Sequence, residues 1–393
     1  MTQGALAGLR LIEMGQLIAG PFCGQLMGDH GAEVIKIEPP KVGDAMRSWG
    51  QGIPLWFSVV GRNKKSITLN LREKEGQAIV KKLVEKSDFL LENFRAGTME
   101  KWGLDYETLS AINKGLVMIR VSGYGQTGPY SNRAGYGGIG EAMGGMRYII
   151  GEPDRPPSRA GLSIGDSLAA TYACIGALMA LEHRHKTGEG QVVDSAIYEA
   201  VLANMESTVA EYTVAGHIRE RTGSILPKIA PSNVYPTSDG SILIGGNQDS
   251  VWKRMAAMMG RPELGEDPRY ATHVARGENQ TELDELIAKW TQTISSKALL
   301  DMCEEHGVPA GNVYRAPEML EDPHFKAREA LVEMDHPQHD NFVMQNVAPK
   351  LSKTPGHIDS VGPELGSHNE VIYGELLGMS SAKMTDLKDR GII

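Results

Sequence analysis

The first third of the chain alternates short apolar runs with segments whose apolar residues recur at helical spacing. Residues 9–14 and 33–40 are strand-like, and a short helix pattern at 21–31 separates them. Residues 73–94 and 108–125 each begin as an amphipathic helix and end as an apolar strand. Strands that alternate with helices in this way are typical of a parallel α/β sheet.

The middle of the chain begins with the most apolar helix pattern, from Ser167 to about His185. Its apolar run, residues 168–181, is too short to cross a bilayer. A strand start and a further long helix are predicted over 191–216. The pattern then becomes irregular and hairpin-like, with residues 237–240 as the turn, before three more helical segments.

This change of pattern predicts two domains. Residues 1–215 and 331–393 are assigned to a large α/β domain with a Rossmann-like parallel sheet. Residues 225–330 are assigned to a smaller α+β domain, and the predicted linkers are 197–224 and about 320–340.

Composition excludes several classes of function. The 393 residues carry a formal net charge of −9 without blocks of like charge, whereas nucleic-acid binding needs clustered Lys and Arg. The three cysteines are widely spaced and show no zinc pattern, so we expect a reduced, cytoplasmic protein with no metal. The N-terminal residues lack the pattern of a signal peptide, and no membrane partner is predicted.

Two stretches match the G-x-G-x-x-G pattern of dinucleotide sites, Gly123–Gly128 and Gly135–Gly140. In such a site the glycines follow a strand and open a helix. Pro129 follows the first match and no strand precedes the second, so both are interpreted as turns with close backbone packing. Lys64 and Lys65 are predicted to lie in a solvated loop, or to meet phosphates if a pocket adjoins them.

One carboxylate, Asp166, stands at the start of the long apolar helix. Aspartate is a favoured helix N-cap, so the residue alone is explained by capping. The alternative is a nucleophile, because a helix N-terminus favours the ionised carboxylate that a nucleophile needs. Glu141 and Asp194 are the other carboxylates of interest.

Six segments in register resemble the class III coenzyme A transferases, which include formyl-CoA transferase, the carnitine-CoA transferase group and the succinyl-CoA:dicarboxylate transferases. The resemblance spans nearly the whole chain and implies an interlocked, ring-like homodimer with no permanently bound cofactor and a CoA thioester as substrate. It also implies that Asp166 attacks the thioester and carries CoA as an aspartyl thioester. The segments are 17–50, 63–72, 92–104, 122–138, 160–200 and 375–393.

The resemblance also implies further site residues. The implied CoA contacts are Ile18, Ala19, Asn70, Leu71, Arg72, Asn93, Phe94, Lys101, Arg133 and Tyr136. The loop expected near the acyl group is Gly245, Gly246, Asn247 and Gln248. Where the composition turns rich in glycine and proline, Arg221, Ser224 and Lys228 are candidates to bind a second carboxylate. The alternative for Arg221 is a place in a charged linker, residues 217–223.

Departures from the family pattern bear on the substrate. Gly137 stands where most relatives carry an acidic residue, and Glu141 either replaces that residue or faces solvent. Ile18 and Pro39 stand where formyl-CoA transferase has glutamine and arginine, which argues against oxalate and formate. We therefore expect CoA transfer from an acyl-CoA, with succinyl-CoA favoured as the donor, to a small carboxylic acid, with a dicarboxylic acid favoured.

The alternatives are another acceptor acid, of the oxalate, formate or carnitine type, an α-methylacyl-CoA racemase, or a non-catalytic acyl-CoA-binding protein. Racemase chemistry needs an acid and a base on opposite faces of the substrate. It is disfavoured because residues 135–137 lack the histidine of that class.

Overall fold

A computed structural model describes residues 4–50 and 52–393. The apolar runs of the first half form strands, and these pair into one six-stranded parallel sheet. The strand order is β3-β2-β1-β4-β5-β6, and the strands are almost wholly buried up to β5. This confirms the prediction of a parallel α/β sheet. The elements of this half are β1 (Arg10–Glu13), α1 (Pro21–Asp29), β2 (Glu33–Glu38), a 3₁₀ turn (Ala45–Ser48), α2 (Trp56–Val60), β3 (Lys64–Thr68), α3 (Lys74–Val84), β4 (Phe89–Glu92), α4 (Thr98–Trp102), α5 (Tyr106–Ile112), β5 (Val117–Ser122), α6 (Gly137–Met143), α7 (Met146–Ile149), α8 (Ile164–Thr187) and β6 (Val192–Ala196).

The strand order reverses between β1 and β4. β1 pairs with β2 on one side and with β4 on the other, with Ile12 opposite both Ile35 and Leu90. The connections that leave β1 and β4 at their carboxyl ends therefore run to opposite sides and leave a crevice between them. In open α/β sheets, ligands bind at such a crevice.

Two apolar cores cover the two faces of the sheet. One contains Cys23 and Met27 of α1 and the alanine face of α8. The other contains the apolar faces of α3 and α5 and the C-terminal residues Ile392 and Ile393. The alanine face of α8, from Ala169 to Ala180, is buried in this core together with residues of the strands.

The chain divides into two units. The first comprises residues 4–147, 160–218 and 327–393, and the second comprises 148–159 and 219–326. The prediction places residues 148–159 in the large domain, whereas the structure places them in the second unit. The remaining elements are α9 (Ile197–Leu202), α10 (Thr208–Ala215), β7 (Ser232–Pro236), β8 (Ser241–Gly245), α11 (Asp249–Met258), a 3₁₀ turn (Pro262–Gly265), α12 (His273–Glu278), α13 (Gln280–Thr291), α14 (Ser296–Glu305), β9 (Ala310–Asn312), α15 (Ala316–Glu321), α16 (Pro323–Ala327), β10 (Leu331–Met334), β11 (Phe342–Gln345), a π-helix (Glu370–Leu376) and α17 (Ser381–Asp389).

The second unit is built on the antiparallel sheet β7-β8-β9. β7 and β8 form the predicted hairpin, with the turn at residues 237–240. The apolar faces of α11, α13 and α14 cover this sheet, and Trp252 and Tyr235 are fully buried between them.

Three helix predictions differ from the structure. α8 begins at Ile164, three residues before the predicted start, and its 24 residues make it long and apolar enough to span a bilayer by length and composition. The helix predicted to run to residue 216 is broken into α9 and α10, where Glu206 has φ +51°. The pattern of residues 369–393 predicts one last helix, and the structure divides it at Gly378, whose φ of +67° ends a helix.

Candidate active site

A cavity of about 160 Å³ lies at the carboxyl edge of the parallel sheet, where the strand order reverses. Its walls come from the loops after β1, β4 and β5, from the start of α6 and from the first turn of α8. The lining residues are Gln16, Leu17, Ile18, Ala19, Trp49, Asn93, Val121, Ser122, Gly123, Gly135, Tyr136, Gly137, Asp166 and Ile197. Five predicted site residues therefore meet in one place: Ile18, Ala19, Asn93, Tyr136 and Asp166.

Asp166 lies in the first turn of α8 and reaches the cavity. Its predicted role as the N-cap is wrong, because Ser163 occupies that position and Asp166 is the third helical residue. Backbone N–H groups at a helix N-terminus favour negative charge within the first turn, so this position suits an ionised carboxylate.

The start of α6 lies directly against the carboxyl group of Asp166. A Cβ atom built on Gly137 would stand 2.7 Å from Cγ of Asp166 and nearer still to Oδ2. A side chain at position 137 and the present position of Asp166 are therefore incompatible. The departure of Gly137 from the family pattern has a steric reason in this chain.

Asn93 holds the loop that follows β1. Its Oδ1 accepts a hydrogen bond from the backbone N–H of Gln16 at 2.8 Å, and its Nδ2 donates to the carbonyl of Gln16 at 2.8 Å. Gly15 and Gly20 lie close against the Asn93 side chain, where a Cβ on either would come within 3.3 Å of it. Asn93 thus fixes the backbone of residues that line the cavity.

Glu141 holds the first turn of α8, next to Asp166. Its side chain is buried, so the alternative that it faces solvent is wrong. One carboxylate oxygen accepts from the backbone N–H of Gly165 at 3.3 Å, and the other accepts from Arg147 at 2.7 Å. Glu141 therefore contacts the residue that precedes Asp166.

The other predicted CoA contacts of the first unit do not line the cavity. Arg72 and Lys101 are exposed, and Asn70 uses its side chain to accept from the N–H of Arg72. Leu71 and Phe94 pack against the apolar core. Arg133 is exposed and its guanidinium stacks on Tyr130, 3.7 Å from the ring centre.

The predicted loop Gly245–Gln248 joins β8 to α11 in the second unit. The fully buried Arg276 holds it by donating to the carbonyl of Asn247 at 2.6 Å. In the same unit, Arg221 donates to the carbonyl of Tyr148 at 2.9 Å, and Ser224 donates to Oδ1 of Asn233 at 2.6 Å. Lys228 pairs with a glutamate of α12.

The two glycine-rich stretches pack against each other. A Cβ on Gly123 would stand 2.7 Å from Cα of Gly135, and Gly125 and Gly128 both have a positive φ near 84°. The close backbone packing is confirmed for both stretches, and the turn is confirmed for Gly123–Gly128. The second stretch is not a turn, because Gly137–Gly140 form the start of α6. Among residues 4–50 and 52–393, no group of three or more metal-ligating side chains comes together.

Sequence reasoning missed a set of charged side chains buried beside the cavity: Glu13, Lys36, Asp44 and Lys64. The prediction that Lys64 lies in a solvated loop or meets phosphates is wrong. It begins β3, and its ammonium donates to Glu13 at 2.7 Å and to the carbonyl of Pro21 at 2.7 Å. Lys65 pairs with Glu33 at 2.5 Å. For Glu13, Lys36 and Lys64, the available signal was a charged residue in a strand that is otherwise mostly apolar.

Comparison with known proteins identifies the family. Residues 6–369 match the sequence profile of CoA-transferase family III. The chain belongs to this family. It is therefore a CoA-transferase by family, as the resemblance of the six segments predicted.

Individual relatives cover almost the whole chain. A succinyl-CoA–D-citramalate CoA-transferase of Chloroflexus aurantiacus is 58% identical over 98% of this chain and 97% of its own length. The beta subunit of a succinyl-CoA–L-malate CoA-transferase of the same organism is 40% identical over 99% and 98%. The crystal structure of a CaiB/BaiF family protein from Brucella suis superposes with a TM-score of 0.86 at 34% identity, covering 96% of this chain and all of that one.

Proposed function

We propose that this chain transfers CoA from succinyl-CoA to a dicarboxylic acid, with D-citramalate or a close 2-hydroxy analogue as the acceptor. The observation that carries the proposal is the carboxylate of Asp166 at a cavity in the crevice of a CoA-transferase family III fold. The choice of acids is supported by the relative at 58% identity, which is named for succinyl-CoA and D-citramalate.

In the proposed reaction, a carboxylate oxygen of Asp166 attacks the thioester carbonyl carbon of succinyl-CoA. The carbon–sulfur bond breaks, CoA leaves as the thiolate, and a mixed anhydride joins the succinyl group to Asp166. The thiolate then attacks the Asp166 carbonyl carbon, the anhydride carbon–oxygen bond breaks, and succinate leaves. The enzyme now carries an aspartyl-CoA thioester.

The second half repeats these steps with the acceptor. Its carboxylate attacks the aspartyl thioester, releases CoA thiolate and forms a new anhydride with Asp166. The thiolate attacks the acceptor carbonyl, and the carboxylate of Asp166 is restored. No net proton transfer is needed, because one carboxylate is consumed and one is released in each half.

The proposed CoA contacts fall into two groups, one that lines the cavity and one that is exposed on the first unit. Ile18, Ala19 and Tyr136 line the cavity beside Asp166, which suits contact with the thioester end of the substrate. Arg72 and Lys101 are exposed cations on the same unit, and we assign them to the CoA phosphates, which bind cationic side chains well.

For the acceptor, we assign the distal carboxylate to Arg221 and Ser224. Gly245–Gln248 are assigned to contacts with the acyl group. These residues carry hydrogen-bonding groups of the kind that a carboxylate binds.

We further propose a homodimer that works in the cytoplasm without a permanently bound cofactor. The dimer is supported by apolar side chains that the first unit exposes on α8 and α10. Met179 is 68% exposed and Val214 is 88% exposed. Large exposed apolar patches mark protein interfaces. Light scattering of the purified protein should give twice the mass of the 42.6 kDa chain.

A panel assay tests the proposed acids. Purified enzyme is incubated with succinyl-CoA and one acceptor at a time, and the acyl-CoA products are separated by chromatography. We expect D-citramalyl-CoA to form fastest, with other four- and five-carbon dicarboxylates slower. Turnover of oxalate, formate or carnitine without turnover of any dicarboxylate contradicts the proposal.

A further inference from the structure

The loop of residues 15–20, which we call the cavity loop, is flanked by four charged side chains withdrawn from water. Glu13 ends β1, Lys36 lies in β2, Lys64 begins β3, and Asp44 precedes the first 3₁₀ turn. Each is at most 2% exposed. We call these four residues the buried charge cluster.

The cluster is internally paired. Glu13 accepts from Lys36 at 3.0 Å and from Lys64 at 2.7 Å, and Lys36 also pairs with Asp44 at 2.8 Å. Charges are costly to bury, and a buried ion pair often contributes no more to stability than apolar residues of the same volume. Stability alone therefore gives no reason for two lysines and two carboxylates here.

The cluster also bonds the backbone around the cavity loop at three points. Lys36 donates to the carbonyl of Gly15 at 2.9 Å, and Lys64 donates to the carbonyl of Pro21 at 2.7 Å. Asp44 accepts from the N–H of Leu17 at 3.0 and 3.2 Å. Charged partners make such hydrogen bonds stronger than neutral ones.

Leu17 is the residue of the loop that most needs such a partner. Its φ is +63°, in the left-handed region that residues with a branched or bulky side chain rarely adopt. Conformations of this kind persist only where surrounding contacts hold them, and they concentrate at functional sites. Leu17 itself lines the cavity, together with its neighbours Ile18 and Ala19.

Asp44 also holds a second part of the cavity wall, the 3₁₀ turn that precedes Trp49. Its Oδ1 accepts from the N–H of Met46 at 3.0 Å and so caps the 3₁₀ turn that leads to Trp49. Trp49 lines the same cavity as the cavity loop, although it lies further along the chain. Burial alone would raise the pKa of Asp44, but the Lys36 ammonium and the backbone donors lower it below its ordinary value. Asp44 is therefore an ionised acceptor shared by two walls.

We propose that Asp44, fixed by Lys36, is a positioning residue that holds Leu17 in its left-handed conformation and so sets the cavity loop and Trp49 at their places beside Asp166. The inference rests on the proposed CoA transfer at this cavity. Asp44 itself does not line the cavity. It acts through the backbone of the residues that do.

The test compares Asp44→Ala and Asp44→Asn with a matched variant, Asp29→Asn. Asp29 is equally buried and forms a bidentate ion pair with Arg62, but it lies at the far end of α1 from the cavity. For each protein, kcat, the KM for succinyl-CoA and Tm are measured. Because misplacement of about 1 Å costs up to about 100-fold in rate, we expect Asp44→Ala to lose at least about tenfold in kcat/KM.

Asp29→Asn should lower Tm by a similar amount and leave kcat/KM within about twofold of wild type, because catalysis depends on geometry at the reacting atoms rather than on stability. Equal kcat/KM in Asp44→Ala and Asp29→Asn overturns the inference. If Asp44→Ala does not fold, the isosteric Asp44→Asn decides by the same comparison. The added substitution Leu17→Gly should then raise Tm more in the Asp44→Asn protein than in wild type, since glycine adopts the left-handed region freely. An equal rise in both backgrounds also overturns the inference.

The wild-type protein separates this inference from the proposed function. Wild type without CoA transfer to any acid refutes the proposed function. Wild type that transfers CoA, with Asp44 variants that behave as the Asp29 variant does, refutes only the positioning role.

Discussion

Replacing Gly137 with alanine should disable the cavity without unfolding the protein. The new Cβ would stand 2.7 Å from Cγ of Asp166, about 0.7 Å inside the 3.4 Å at which ordinary contact begins. The backbone of α6 is held by close packing at Gly140, whose own Cβ would meet Ile197, so the carboxyl group must move. A displacement approaching 1 Å costs up to about 100-fold in rate, or about 2.7 kcal/mol in the barrier.

Gly138→Ala is the matched control. It adds the same methyl group to the next residue of the same helical turn, where its Cβ would meet only the end of the flexible Arg147 side chain, at 3.2 Å. We expect kcat for CoA transfer to fall by about 100-fold in Gly137→Ala and to stay within about twofold in Gly138→Ala, with both Tm values near wild type. Equal activity of the two variants refutes the steric argument and the placement of Asp166 on which it depends.

Three further predictions concern buried side chains elsewhere in the chain. Glu141→Ala should lower both kcat and the melting temperature. Glu141→Gln should lower them less, because glutamine keeps an acceptor for the N–H of Gly165, the residue before Asp166. Steady-state kinetics and thermal melts measure the two effects, and an equal loss in both variants contradicts this role of Glu141. Burial raises the pKa of Glu92 from 4.5 to about 7, and this effect outweighs the lowering by Arg120. The contribution of protonated Glu92 to folding stability is therefore full below pH 4.5 and is lost as the pH rises through 7. The stability of wild type relative to Glu92→Gln should therefore fall by up to about 3 kcal/mol from pH 4.5 to 8 in urea titrations, and a constant difference contradicts the raised pKa. Arg276→Met should destabilise the second unit by about 3 kcal/mol, because three backbone carbonyls, including that of Asn247, lose their buried donor. Hydrogen exchange should become faster over residues 245–248. Unchanged exchange there contradicts the role of Arg276 in holding this loop.

Local patterns in the sequence predicted the layers of the first unit correctly. Alternating apolar runs and amphipathic segments become the strands and helices of the parallel sheet, and the turn at residues 237–240 joins β7 to β8. Helix boundaries were less accurate where one backbone conformation decides them. Glu206 and Gly378 interrupt helices through a positive φ that no apolar periodicity reveals.

The cavity required long-range information. Its place follows from the pairing of β1 with β4, whose residues Ile12 and Leu90 are far apart in the chain. Asp166 was found through the register of the family segments, since an aspartate near a helix start is usually explained by capping. The burial of Lys64 was missed because a local pattern gives a lysine no partner, whereas the fold brings Glu13 to it.

The central claim is that the carboxylate of Asp166 forms a covalent bond during CoA transfer. The most direct measurement incubates the enzyme with succinyl-CoA alone, adds hydroxylamine, and locates the modified residue by mass spectrometry of proteolytic peptides. We predict a hydroxamate on Asp166 that requires succinyl-CoA and is absent from Asp166→Ala, which should also be inactive. A fully active Asp166→Ala protein, or an active wild type that is never modified at Asp166, would contradict the account.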